Sequence, residues 1–233
     1  YNEKSYGTIT LRNALFHSLN TGSMFAETKT GDDAFLKYVV SFGFGQKTGI
    51  DLAGELSGAI NNLYGGRKIN FLTASFGQGI AVTPIQLINA YSSIANGGKL
   101  LRPYVVKEII HADTSSERIQ TEIIDVPISE ATSQQLTSML VGVSDTVTAA
   151  RVPGYEIAVK TGTAQIADKK GGYIPDQVIH NIVGYAPANN PKFTLLIKMN
   201  RPKGVKFSTD SLAPMFADIS RFLLRYFNVP PSK

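Results

Sequence analysis

The sequence predicts an α+β fold in which helices pack on an antiparallel sheet. Apolar residues recur at helical spacing in several segments before residue 150 and in one segment at the C-terminus. Between them, two strand-like runs, 181–186 and 193–199, are joined by Pro187-Ala188-Asn189-Asn190-Pro191, which is typical of a β-hairpin. Helices that precede and follow such a hairpin favour an antiparallel sheet with helices packed on it.

Composition restricts the class of protein further. The chain has 233 residues, of which 43% are hydrophobic, so it can bury a core. We find neither an internal repeat nor a linker and predict one domain over residues 1–233. The absence of cysteine excludes disulfide scaffolds, thiolate metal sites and cysteine nucleophiles. Three scattered histidines argue against a histidine-based zinc site.

The net charge of +5 is mild. Basic residues are densest at Lys198, Arg201, Lys203 and Lys206, but no aromatic residues are interleaved with them. We therefore expect no nucleic-acid partner. The sequence also has no run of about 18 apolar residues that could span a membrane.

The N-terminal third predicts three helices. Thr10 is a typical cap for a helix with Leu11 and Ala14 on one face, and this pattern breaks at residues 18–22 in a tight connection. A short second helix is predicted around Met24. A third starts at Asp32 or Asp33 and ends in the glycine-rich segment 42–45.

The middle of the chain begins with a glycine-rich stretch, 45–82, which we interpret as loops with short strands. Thr83-Pro84-Ile85-Gln86 then has every feature of a helix start, and Asn96-Gly97-Gly98 is typical of its end. A strand near 105–110 and a polar excursion over 111–122 follow.

The last third predicts the sheet and its closing helix. Ser129 opens a helix, and residues 155–159 read as a strand that runs into Lys160. Residues 165–177 are polar and predict a loop before the hairpin. The final helix shows one apolar stripe, formed by Leu212, Met215, Phe216, Ile219, Phe222, Leu223 and Tyr226.

Two short segments carry chemistry. Ser18-Leu19-Asn20 lies in a helix-to-helix turn, and Lys160-Thr161-Gly162-Thr163-Ala164 lies at the end of a predicted strand. In this order and these settings they resemble the second and third motifs of the serine acyl-transferases that include penicillin-binding proteins and β-lactamases.

The resemblance covers essentially the whole chain and is specific to class B penicillin-binding proteins. Its further segments are Gly77-Gln78-Gly79-Ile80, Thr83 to Leu87, Ile94 to Gly98, Gly184-Tyr185-Ala186-Pro187, and Ala213-Pro214 with Phe216. The resemblance implies the transpeptidase fold of the penicillin-binding protein and serine β-lactamase type.

The resemblance also implies a role for each motif residue. Ser18 would relay a proton to the leaving nitrogen, and Asn20 would hold the substrate amide and a catalytic lysine. Lys160 would supply positive charge and keep Ser18 ready to give its proton. Thr161 and Thr163 would bind the substrate carboxylate, and Gly162 would let the acyl chain approach closely. The Thr163 N–H would be an oxyanion donor.

One departure from the family pattern is large. The family's nucleophile lies in a Ser-x-x-Lys motif, but no Ser or Thr of this chain has Lys three residues later. We expect the motif upstream of Tyr1, which would make the chain an incomplete catalytic domain that is inactive alone. A smaller departure is the segment near Ser208 to Leu212, which lacks the glycine pair often found there.

The implied activity is peptidoglycan D,D-transpeptidation through a serine acyl-enzyme. Stem peptides ending in D-Ala-D-Ala would be the substrates and β-lactams the inhibitors. No metal or organic cofactor is implied. The resemblance further implies a cell-wall partner such as a SEDS-family glycan polymerase, a membrane anchor upstream of Tyr1, and a site on the extracytoplasmic face of the bacterial membrane.

Two alternatives remain open. A β-lactamase or D,D-carboxypeptidase of the same fold would share both motifs, although no glutamate between them has the neighbours expected of a deacylating base. A non-catalytic penicillin sensor or scaffold would use the same fold for binding only. His180 has no identifiable acid partner and is interpreted as a structural histidine.

Overall fold

The computed structural model describes residues 5–168 and 170–231. Helices dominate the first hundred residues. They are α1 (Leu11–Phe16), α2 (Asn20–Thr30), α3 (Asp32–Ser41), α4 (Asn61–Tyr64), α5 (Lys68–Ala74) and α6 (Pro84–Ala95). The predicted cap at Thr10 is confirmed, since its hydroxyl accepts from the Asn13 N–H. The second helix is longer than predicted and begins at Asn20, because the connection after α1 needs only residues 17–19.

The glycine-rich stretch 45–82 was predicted to hold loops and short strands, and this prediction is partly wrong. It contains the short helices α4 and α5, while its only strand-like pairing within the described residues is the bridge between Ala59 and Ala81. Leu63 and Phe71 form the apolar face of these helices and pack against α3 through Phe35 and Leu36. This packing stabilises α4 and α5, because helices this short are not stable by themselves.

The start of α6 is as predicted. The Thr83 hydroxyl accepts from the Gln86 N–H, and the Gln86 side chain accepts from the Thr83 N–H, which completes a capping box. The buried Gln86 amide also donates to the carbonyls of Gln46 and Ser57. The residue that closes the cap therefore also ties down the preceding loop.

Two small antiparallel pairs follow α6. β1 (Leu100–Leu101) pairs with β4 (Ile123–Asp125), and β2 (Glu108–Ile110) pairs with β3 (Ser116–Arg118). The predicted strand near 105–110 is present only over Glu108–Ile110, so Val105 lies outside it, and the polar excursion contains a strand of its own.

The main sheet has the order β5-β6-β7 and is antiparallel throughout. Its strands are β5 (Ala158–Ala167), β6 (Tyr173–Ala186) and β7 (Phe193–Asn200). Both β5 and β6 run well into the segment 165–177 that was predicted to be a loop, because their ladder extends to the pair Ala167 and Tyr173. The predicted strand 155–159 begins only at Ala158. The segment from Lys160 to Ala164 therefore lies inside β5 and not at the end of a strand.

Helices cover both faces of this sheet. On one face lies α7 (Glu130–Thr146), which starts after Ser129 as predicted and is capped by its hydroxyl, and on the other lie α8 (Ser208–Ser211) and α9 (Ala213–Tyr226). Val159 and Ile182 pack against Phe216 of α9, whereas Ala158 and Tyr185 belong to the cluster with Leu140 of α7. In the two described ranges, no helix has both the length and the apolar character needed to cross a bilayer.

The apolar stripe predicted for the last helix is partly wrong. Its buried face consists of Ala213, Phe216, Ala217, Ser220 and Leu224. Phe222 and Tyr226, which were assigned to the stripe, are 64% and 67% exposed, and Met215 is also exposed. Small residues lie on the buried face because α9 packs close to the sheet. A prediction from large apolar residues alone therefore rotated the buried face toward the exposed side of the helix.

Candidate active site

Ser18 lies in a turn that closes the C-terminus of α1. The Ser18 N–H donates to the Leu15 carbonyl at 3.0 Å. The Leu19 N–H donates to the Ala14 carbonyl at 2.9 Å. Glycine usually occupies the first residue of such a turn, because its backbone is left-handed. Ser18 occupies it with a φ of +53°, so this exposed hydroxyl is held by a backbone conformation that costs about 1 kcal/mol.

Asn20 is the first residue of α2, and this helix is fixed near both ends. A Cβ on Gly22 would lie 2.5 Å from the Ala14 Cβ, so only glycine lets α2 cross α1 this closely. Near the other end, buried Glu27 accepts from Lys68 Nζ with both oxygens, at 3.0 and 2.9 Å. Lys68 also binds Asp32, and this hydrogen bond lowers the pKa of the Asp32 carboxyl. The contacts hold Asn20 in a defined place beside the Ser18 turn.

Lys160 brings the two motifs together. Its Nζ donates to Ser18 Oγ at 2.7 Å, across 142 residues of sequence, and to the carbonyl of Thr161 at 2.8 Å. Burial lowers the pKa of Lys160 to about 8, because the charged form loses hydration. The ammonium is therefore the main form at neutral pH, while the neutral amine becomes available slightly above it.

The residues after Lys160 alternate between the two faces of β5. Gly162 shares the Lys160 face, and a Cβ there would lie 2.7 Å from Asn181 Oδ1 on the neighbouring strand. The Asn181 amide thus occupies the space above Gly162, beside the open edge of β5. A larger residue at 162 would displace it.

Thr161 and Thr163 face the side of the sheet that α8 and α9 cover. The Thr163 hydroxyl accepts from the Ser208 N–H and donates to Ser208 Oγ, both at 3.2 Å. Ser208 is buried, with 3% of its surface exposed. Thr163 is therefore held in one orientation by α8.

The structure places all six predicted site residues in two adjoining segments. It joins Ser18 to Lys160 directly, with Asn20 two residues beyond the first and Thr161, Gly162 and Thr163 directly after the second. Sequence reasoning missed Asn181 and Ser208. Asn181 is identified only by strand register, whereas Ser208 stands where the family often has glycine, a signal that the sequence did carry.

A groove of about 600 Å³ opens beside the Ser18 turn. It lies between the chain before α1, α1 itself and the start of α2, and its apolar lining includes Leu11, Ala14, Leu19 and Phe25. The described part of the chain contains no group of three or more His, Cys, Asp or Glu side chains that could hold a metal.

Comparison with known sequences finds related proteins that match nearly the full chain. The chain is 37% identical to stage V sporulation protein D of Bacillus subtilis, covering 98% of this chain and 36% of that protein. It is 31% identical to the peptidoglycan D,D-transpeptidase FtsI of Escherichia coli, covering 97% of this chain and 37% of that protein. The chain thus spans little more than a third of the length of these curated relatives.

Solved structures agree with the sequence comparison. Penicillin-binding protein 3 of Mycobacterium tuberculosis, crystallised with ampicillin, superposes with a TM-score of 0.92 at 28% identity, covering 100% of this chain and 54% of that one. The family described as the penicillin binding protein transpeptidase domain matches residues 1–221. With both motifs in contact and the fold shared, this chain belongs to the transpeptidase domain family of the class B penicillin-binding proteins.

Proposed function

We propose that this chain forms the C-terminal part of a serine-type peptidoglycan D,D-transpeptidase. The observation that carries the proposal is the 2.7 Å hydrogen bond from Lys160 Nζ to Ser18 Oγ. It makes one proton-transfer unit from two motifs that are far apart in sequence. The relatives named as peptidoglycan D,D-transpeptidases support the same reaction.

The first half-reaction is acylation by a donor stem peptide ending in D-Ala-D-Ala. The nucleophile is the serine of a Ser-x-x-Lys segment that is not among the 233 residues. Its oxygen bonds to the carbonyl of the penultimate D-Ala, and the peptide bond to the terminal D-Ala breaks. The leaving nitrogen takes a proton from the Ser18 hydroxyl, which is replenished by the proton that the nucleophile loses.

Lys160 makes Ser18 suited to this relay. When the ammonium donates to Ser18 Oγ, the hydroxyl proton of Ser18 is free to point at the leaving nitrogen. Asn20 holds the substrate amide, and the Thr163 N–H stabilises the oxyanion. Thr161 and Thr163 bind the terminal carboxylate, and Gly162 lets the donor peptide lie along β5. An amine of a neighbouring stem then takes the acyl group and releases the serine.

The setting of the enzyme follows from the same family resemblance. We place the domain on the extracytoplasmic face of the bacterial cytoplasmic membrane, held by an anchor upstream of Tyr1. The partners are peptidoglycan stem peptides, β-lactams and a glycan polymerase of the SEDS family. The groove beside Ser18 is where we expect the segment with the nucleophile to pack.

Intact mass after incubation with ampicillin tests the proposal. The two samples are residues 1–233 and the same protein with its natural upstream sequence. We expect one stable adduct on the longer protein only. Rapid turnover of ampicillin without an adduct would instead identify a β-lactamase, and no reaction at all would favour a sensor or scaffold. An adduct on residues 1–233 would mean that the nucleophile lies within them and that the assigned roles are wrong.

A further inference from the structure

His180 is buried at the centre of the sheet, beside the carboxylate-binding motif. It has no exposed surface, and it pairs in register with Thr163 across β5 and β6. Residues paired in this way point to the same face. The two side chains therefore lie next to each other beneath α8.

Both ring nitrogens of His180 contact α8 or the loop that precedes it. His180 Nδ1 lies 2.7 Å from Ser211 Oγ, and Nε2 lies 3.2 Å from the carbonyl of Lys206. A carbonyl only accepts, so Nε2 donates to Lys206, while Nδ1 and the Ser211 hydroxyl share the second hydrogen bond. His180 thus fastens the segment at two points, before and after Ser208.

Ser208, between these two points, holds the Thr163 hydroxyl. Its N–H donates to Thr163 Oγ1, and its own Oγ accepts the Thr163 proton. The hydrogen bond from the Ser208 N–H fixes the position of Thr163 Oγ1. The hydroxyl proton of Thr163 points at Ser208 Oγ, an acceptor that a substrate carboxylate can replace. A hydroxyl that already accepts a hydrogen bond is a stronger donor, so the N–H of Ser208 also improves this exchange.

We propose that His180 is a positioning residue for carboxylate recognition, acting through α8 and Ser208 on the hydroxyl of Thr163. The inference rests on the proposed function and deepens it, because Thr163 is one of the two threonines assigned to the carboxylate of the donor peptide. His180 itself is fully buried and touches no substrate.

The test compares acylation by ampicillin with acylation by its carboxylate methyl ester, on the protein that carries its natural upstream sequence. The ratio of the two second-order rate constants measures how strongly the carboxylate is recognised. We expect His180→Leu to lower this ratio about tenfold, the value of one hydrogen bond to a charged group. His180→Gln, whose amide can still donate to the Lys206 carbonyl, restores part of the ratio.

A double-mutant cycle separates positioning from a merely structural effect. Thr163→Val removes the hydroxyl and lowers the ratio by itself. If His180 acts through Thr163, then His180→Leu changes the ratio no further in the Thr163→Val background. A purely structural histidine would lower both rate constants equally and leave the ratio unchanged, which would overturn the inference.

Two further variants keep the result decisive. His111→Gln alters an exposed histidine far along the chain and should leave the ratio and the melting temperature unchanged. If His180→Leu does not fold, Ser211→Ala removes the partner of Nδ1, together with the longer hydrogen bond from Ser211 Oγ to the Phe207 carbonyl. It should lower the ratio in the same direction by a smaller factor, and an unchanged ratio would overturn the inference. Failure of the parent protein to react with ampicillin would refute the proposed function, and the inference with it.

Discussion

At the scale of single residues, the site combines a strained hydroxyl with a desolvated cation. Ser18 occupies a left-handed position that suits glycine, and Lys160 is buried enough to lower its pKa to about 8. Both features reduce folding stability, and the two side chains concerned are joined by one hydrogen bond. Such local conflicts are expected where function competes with folding.

Ser18→Gly separates these two demands. Glycine adopts the positive φ without a steric penalty, so the variant should be more stable by about 1 kcal/mol. It also removes the hydroxyl of the proposed proton relay, so acylation by ampicillin should fall at least about a hundredfold. Chemical denaturation and acylation rates of the protein with its upstream sequence measure both quantities. Ser18→Ala is the control, since it loses the relay and keeps the strain.

The pKa of Lys160 predicts the basic limb of the pH profile. The proposed relay needs the ammonium form, which donates to Ser18 Oγ. The rate constant for acylation should therefore be highest below pH 8 and fall as the pH rises through about 8, where the ammonium is lost. Lys160→Arg keeps its charge throughout this range and should remove the limb, at a lower overall rate. A rate that rises through pH 8 would show that the neutral amine acts as a base.

At the scale of elements, local chemistry at helix starts was the most predictable feature. Thr10 and Thr83 were assigned as caps from sequence and Ser129 as the start of a helix, and each hydroxyl accepts a backbone N–H of the first turn. Such signals act within four residues and need no tertiary information. The residues of the two site motifs could be named in advance for a different reason, since their order and setting along the chain resemble those of a known family.

Features that depend on tertiary contacts were not predictable in this way. The helices α4 and α5 form where Leu63 and Phe71 find the apolar face of α3, although their glycine-rich setting favours loops. The ladder of β5 and β6 continues into a polar segment because each strand completes the hydrogen bonds of the other. The contact between Thr163 and Ser208 required the fold itself.

The capping box of α6 gives a prediction at this scale. Thr83→Ala leaves the Gln86 N–H without its cap and should cost about 1 kcal/mol of folding stability. Thr83→Ser keeps the hydroxyl and should cost much less. Acylation by ampicillin at a temperature where both variants are folded should match the parent, since the cap does not touch the site. A large loss of acylation in Thr83→Ala would show that α6 positions the motifs.

At the scale of the whole molecule, the site depends on how closely helices pack against the sheet. α9 covers one face and α7 the other, so β5 is held from both sides while its outer edge carries Lys160 to Thr163. Gly184 lies at the tightest point of this arrangement. A Cβ there would come within 2.2 Å of the Ala158 carbonyl and 3.0 Å of Phe216 Cζ.

Gly184→Ala should therefore disturb the sheet and α9 together. The backbone of Ala158 cannot move without shifting the start of β5, so we expect a loss of about 2 kcal/mol in stability and slower acylation. The matched control is Ser220→Ala on the buried face of α9. Among the described residues, Ser220 Oγ is buried without a hydrogen-bond partner, so its removal should be neutral or stabilise the fold by up to about 1 kcal/mol. Melting temperatures and acylation rates of the two variants test the pair, and equal behaviour would mean that the packing of α9 does not control β5.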